Sequence, residues 1–101
     1  MNYTNQDHII IIGWNKKSES AINELLKSNQ KVEVVLIDTL ERSPVDVSNE
    51  RVHYIQGSPT EKETLYKANI NKAKSVIVFS DDTIPDSSLR DAKTLNVAIV
   101  V

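Results

Sequence analysis

The chain has 101 residues, 40% hydrophobic and 26% charged, with 12 Lys and Arg against 14 Asp and Glu. That composition bounds one small soluble domain, and its scattered charge, net −2, excludes the basic stripe of a nucleic-acid binder. The absence of cysteine excludes disulfides, thiolate metal sites and thiol catalysis.

Residues 1–7 are polar and read as a flexible N-terminal segment ahead of a domain over 8–101. That opening has neither the basic nor the apolar region of a signal peptide, and no window reaches the roughly 20 apolar residues of a membrane span. Ile9–Ile12 is a β-branched run too short for a helix, which fits a strand buried on both faces in a parallel sheet. From Ser18 to Ser28, Ala21, Ile22, Leu25 and Leu26 share a helical face, with Ser18 as N-cap and Asn29 as stop. Val32–Ile37 is a second strand, ending on Asp38. Thr39 to Glu50 carries Pro44 and few apolar residues and reads as a loop or short helix. Val52–Ile55 is a third strand, stopped by Gly57. Ser58-Pro59-Thr60-Glu61 reads as a helix start, with Ser58 as cap, Pro59 at the first helical position and Glu61 closing a capping box. That helix turns Leu65 and Ala68 inward and ends near Asn69. A fourth strand is expected over Val76–Phe79, a helix over Ser87–Leu95 and a fifth strand over Val97–Val101.

Alternating short apolar strands and amphipathic helices specify an α/β fold. Right-handed crossovers favour a doubly wound, Rossmann-like parallel sheet with strand order 3-2-1-4-5. A chain ending on apolar residues leaves a greasy sheet edge. The expectation is therefore a fragment truncated after the fifth strand, its edge covered by a second copy.

In such sheets ligands bind outside the carboxyl ends of the strands, at the switch point. Gly13–Ser18, Asp38–Thr39, Gly57–Ser58 and Ser80–Asp82 all end there, which makes Gly13, Trp14, Asn15, Ser18, Asp38, Thr39, Gly57, Ser58, Ser80 and Asp81 the candidate cofactor-binding residues. The first loop reads Gly13-Trp14-Asn15-Lys16-Lys17-Ser18 against the dinucleotide fingerprint G-x-G-x-x-G. The turn glycine is present; Asn15 tolerates left-handed angles but carries a side chain, and Ser18 is small enough for close packing. The alternative is a tight strand-to-helix turn with no ligand. Asp38, 25 residues beyond Gly13, is placed to accept ribose hydroxyls, or else to cap a loop. On the ribose reading, Asp38→Ala should abolish a nucleotide's effect on melting and leave the ligand-free protein nearly unchanged. Asp81 and Asp82 are candidate ligands for a hard cation such as Ca²⁺, or ordinary loop acids. Trp14 stacks on a ligand ring or, as buried aromatics more often do, packs against the protein. His8 and His53 lack partners at metal-ligand spacing and read as structural. No catalytic constellation is evident.

The order of these motifs resembles the RCK family (regulator of conductance of potassium, also KTN or TrkA-N). The resemblance is carried by "HIIIIGWNKKSESAINEL", "VVLID", "VHYIQGSPTEKETLYKANINKAKSVIVFSDD" and "AIVV", and is most specific at Gly57-Ser58-Pro59-Thr60 with Leu65, Ala68, Ile70, Ala73 and Val76-Ile77-Val78. "GWNKKS" in place of a glycine-rich loop is similar to the version attached to ligand-gated prokaryotic potassium channels. The resemblance implies a non-catalytic regulatory domain on the cytoplasmic face of the membrane, in the same polypeptide as a potassium channel pore. It implies self-association as a dimer and, in the full-length protein, an octameric ring. It also implies control by a bound ligand, with NAD(H), an adenine nucleotide or Ca²⁺ as the candidates. Gly13 and Asp38 match the family's loop glycine and ribose acid; Asn15 and Ser18 depart from its full glycine pattern. Two other readings stand beside this one: the cofactor half of an NAD-dependent oxidoreductase, and a Rossmann assembly module without ligand.

Overall fold

The computed structural model describes residues 1–80 and 96–100. Five parallel strands, β1 (Ile9–Ile12), β2 (Val34–Asp38), β3 (Val52–Gln56), β4 (Ser75–Val78) and β5 (Asn96–Ile99), lie in the order β3-β2-β1-β4-β5. That is the expected sheet. Helix α1 (Lys16–Ser28) connects β1 to β2, while α2 (Lys62–Lys67) and a 3₁₀ turn (Ile70–Lys72) connect β3 to β4.

The isoleucine run sits in the middle of the sheet, between β2 and β4, which is why it needs no polar face: all four residues are buried. Side chains alternate across the sheet. Ile10 and Ile12 join Val35, Ile37, Ile55, Val76 and Val78 in a core with Leu65, Ala68 and Ile70. Ile9 and Ile11 join Val34, Leu36 and Ile22 of α1 on the other face. Each helix thus covers its own side, and Leu65 and Ala68 turn inward as expected. Arg51 braces the second layer: its Nε donates to the Val32 carbonyl at 3.0 Å and its terminal nitrogens to the carbonyls of Leu26 and Asn29, capping the C-terminal end of α1.

Three local expectations are corrected. The N-terminal segment is not loose at Tyr3, which is buried and whose amide donates to the Lys67 carbonyl at 2.7 Å; the Asp7 amide donates to the Lys72 carbonyl at 2.8 Å. One aromatic body among polar neighbours is enough to fill the end of a core. Helix α1 starts at Lys16 with Asn15 as its cap, not at Ser18. Helix α2 starts only at Lys62; Ser58 does not cap it and Glu61 makes no side-chain cap bond. Residues 58–61 form a turn instead, with the Glu61 amide donating to the Ser58 carbonyl at 3.1 Å and Ser58 Oγ 2.6 Å from Thr60 Oγ1. The helix expected over Ser87–Leu95, and Asp81 and Asp82 with it, lies outside the described residues.

Candidate functional site: a crevice at the carboxyl ends of the strands

The chain leaves β1 through Gly13, whose φ of +92° is a conformation that side chains rarely adopt. A Cβ there would also stand 2.9 Å from Ser80 Cβ and 3.2 Å from the Ser80 amide nitrogen. The position therefore needs glycine twice over: to make the turn, and to let it press against the end of β4.

The turn is then tied to its neighbours. The Gly13 amide donates to the Ile37 carbonyl at 3.0 Å, and the Trp14 amide to Asp38 Oδ2 at 2.6 Å. Asn15 adopts an extended conformation, φ −158°, not the left-handed one its residue type allows, and caps α1. Its Oδ1 accepts from the Ser18 amide at 3.0 Å, while its own amide donates to Ser18 Oγ at 2.7 Å. Its Nδ2 reaches across to donate to the Phe79 carbonyl at 3.0 Å. The two residues form a reciprocal capping box in which serine takes the place of the usual Glu or Gln.

Asp38 closes β2. Its Oδ1 accepts from the Thr39 amide at 2.6 Å, and its carbonyl accepts from the Gly57 amide at 2.9 Å and the Tyr54 hydroxyl at 3.1 Å. The Tyr54 phenol titrates above its ordinary value, through burial first and the neighbouring Asp38 charge second. Gly57 is a contact glycine: a Cβ there would lie 2.6 Å from Oγ1 and 2.8 Å from Cγ2 of the buried Thr64.

These elements enclose a crevice of about 310 Å³. Gly13, Trp14, Asn15, Asp38, Thr39, Ser58 and Ser80 line it, as the sequence leads one to expect. Ser18 and Gly57 do not: Ser18 is fully buried beneath the turn, and Gly57 packs on Thr64. Ile37, Pro59 and Phe79 also line it, although no polar or glycine signal marks them; only adjacency to strand ends could have pointed to them. Trp14 is half-buried, packs against the α1-side core and also lines the crevice. It separates the crevice from a second cavity of about 230 Å³ under Val45 and Asp46.

A dinucleotide fits this crevice only in part. A carboxylate has about four lone-pair sites, so Asp38 retains acceptor capacity for a ribose diol beside the two amides it already holds. In the turn, the amides of Gly13, Trp14, Asn15 and Ser18 all donate within the protein and are not offered to a pyrophosphate. Among the described residues no group of His, Asp and Glu is placed to hold a metal ion, and the candidate cation ligands Asp81 and Asp82 lie outside them.

The opposite end of the sheet holds the histidines. His8 is buried, with Nε2 2.7 Å from the Ala68 carbonyl and Nδ1 without a partner among the described residues. Burial holds its pKa below the ordinary imidazole value, against the pull of the Ala68 carbonyl, Glu33 and Asp7. Tyr3 lies on its ring at 4.3 Å between centroids and 4.9 Å from that of His53, and burial with the Glu33 charge pushes the Tyr3 phenol up to about 12. His53 Nε2 meets Glu33 Oε1 at 2.7 Å. Glu33 is invisible as a partner in sequence because it comes from the neighbouring strand entry.

Residues 9–99 match the TrkA-N domain model. Over 80 residues, 78% of this chain, the sequence is 40% identical to the candidate potassium channel protein YugO of Bacillus subtilis (strain 168). It is 26% identical over 93% of its length to the ion channel DMI1 of Medicago truncatula and to the ion channel POLLUX of Lotus japonicus. The chain spans 24% of the YugO sequence and 12% and 11% of the two plant proteins. No helix among the described residues is long and apolar enough to cross a membrane. The match and the strand order agree: this chain belongs to the TrkA-N domain family.

Proposed function

We propose that the chain is the regulatory domain of a potassium channel, on the cytoplasmic face of the membrane, and that its crevice senses an adenine nucleoside or nucleotide through Asp38. The domain match and the channel names of its relatives support the first half. The observation that carries the second is that Asp38 and Gly13, at the ends of the paired strands β2 and β1, line one polar crevice. The domain does no chemistry on this reading. A ligand that binds one arrangement of paired domains better than another shifts the equilibrium between them, and couplings of about 1–3 kcal/mol per site suffice when several copies act together. Self-association, as a dimer and as a ring in the longer protein, supplies those copies.

The test is thermal unfolding of the 101-residue chain with adenosine, AMP, ADP, ATP or NAD. A ligand at 100 times its dissociation constant adds about 2.7 kcal/mol, which raises the midpoint by several degrees in a domain of this size. An unchanged midpoint with all five refutes the sensing reading and leaves an assembly module.

A further inference from the structure

We propose that Asn15 blocks the approach of a pyrophosphate to the turn, so that the site takes a nucleoside or a mononucleotide with a single phosphate and turns away a dinucleotide. The inference rests on the ribose reading of Asp38 above.

Position 15 is where the dinucleotide fingerprint has its second glycine, because there the pyrophosphate approaches the backbone and a side chain stands in the way. This chain has an asparagine there whose side chain is committed at both ends. Oδ1 holds the Ser18 amide at 3.0 Å and Nδ2 holds the Phe79 carbonyl at 3.0 Å. It spans from the start of α1 to the end of β4 and lines the same crevice as Asp38 and Ser80. Admitting a pyrophosphate means swinging this strut away. That breaks both bonds and strips the cap from a serine amide whose residue is fully buried, and an unpaired buried donor costs more than an ordinary bond contributes. The carboxylate half is not part of the strut: among the described residues the Asp38 carboxylate accepts from Trp14 and Thr39, not from Asn15. The size agrees: about 310 Å³ is at the lower end of the roughly 300–1,000 Å³ of small-molecule sites.

Calorimetric titration of the native chain and of Asn15→Gly with adenosine, AMP and NAD tests the inference. Glycine is itself an accepted N-cap residue, so the variant keeps its helix; Asn15→Ser keeps a capping oxygen, loses the reach to Phe79 and serves as the second variant. The native chain is expected to bind adenosine and AMP, and NAD at least about tenfold more weakly, tenfold being the equivalent of only one of the two hydrogen bonds that must break. In Asn15→Gly the NAD affinity rises about tenfold while adenosine affinity holds. Native binding of NAD as tight as that of AMP overturns the inference. So does a glycine variant whose NAD affinity is unchanged or lower, the result expected if Asn15 itself grips the phosphates. If the native chain binds no nucleoside but Asn15→Gly binds NAD, the ribose-sensing reading falls and the barrier stands. If neither protein binds any of the three, both fall.

Discussion

In an Asp38→Ala variant the Trp14 and Thr39 amides both lose their acceptor. The first bond, 2.6 Å long and partly buried, ties the turn into α1 to the end of β2. A hydrogen bond to a charged group contributes about 1.5–3 kcal/mol. The second, also 2.6 Å, faces water, which replaces the lost acceptor; surface interactions of this kind are worth about 0–1 kcal/mol. Together they predict a loss of about 1.5–4 kcal/mol, and at 4–8 °C per kcal/mol for a domain near this size a midpoint lower by about 6–32 °C. That corrects the expectation of an unchanged ligand-free protein. Asp38→Asn keeps one acceptor oxygen and should fall between the two. The assay is circular-dichroism melting at pH 7 without ligand, each variant's own midpoint then serving as reference for any nucleotide effect. An Asp38→Ala midpoint within about 4 °C of native, less than 1 kcal/mol, would refute the view that this carboxylate holds the turn.

Gly57→Ala should destabilise by about 1–3 kcal/mol, since its Cβ would fall within 3 Å of Thr64. Thr64→Ala removes the two nearest atoms, so the double variant should be more stable than the summed single effects require. Denaturant titration of the four proteins checks this, and additivity within about 0.5 kcal/mol would mean the contact is not the reason. His8 gives a pH dependence of definite sign. Its folded pKa is depressed, so below the unfolded value of about 6.5 the unfolded chain binds more protons than the folded one. Stability is complete above that value and is lost as pH falls from it toward the folded pKa. Midpoints measured between pH 8 and pH 5 should decline more steeply for the native chain than for His8→Gln, whose amide can donate to Ala68 without titrating; parallel declines would exclude His8 as the source.

The sheet was legible because its evidence is redundant: Ile9–Ile12 is apolar at every position and short, and only a central parallel strand uses such a run. Gly13 and Asp38 followed from topology, each closing a strand at the switch point. The start of α1 was not legible from periodicity. The first apolar residue of its face is Ala21, and Lys16 and Lys17 carry no apolar signal, so the nearest hydroxyl took the cap that belongs to Asn15. The spacing itself, Asn15 three residues before Ser18, was the available clue. At Ser58-Pro59 the signature misled for a different reason. Gly57 must clear Thr64, and Ser58 Oγ is taken up by Thr60, so the helix is delayed to Lys62. Tyr3 and the Glu33–His53 pair were hidden because their partners lie on other strands or helices, a relation that no local pattern encodes.

At the carboxyl end of the sheet, one turn links three strand ends. Gly13 and Trp14 attach it to β2, Asn15 attaches it to the end of β4, and the Asp38 carbonyl attaches β2 to the start of the 57–61 turn. The carboxylate proposed to receive a ribose is therefore also the one that, through Oδ2, ties the entry of α1 to the end of β2. Asp38 has lone pairs to spare for a diol beside the Trp14 amide, so on the sensing reading proposed above an occupied crevice places the ligand on the same carboxylate that seats α1. On that reading, a ligand that binds better with α1 seated one way than another would shift the balance between the two, which is how a regulatory domain differs from a passive scaffold.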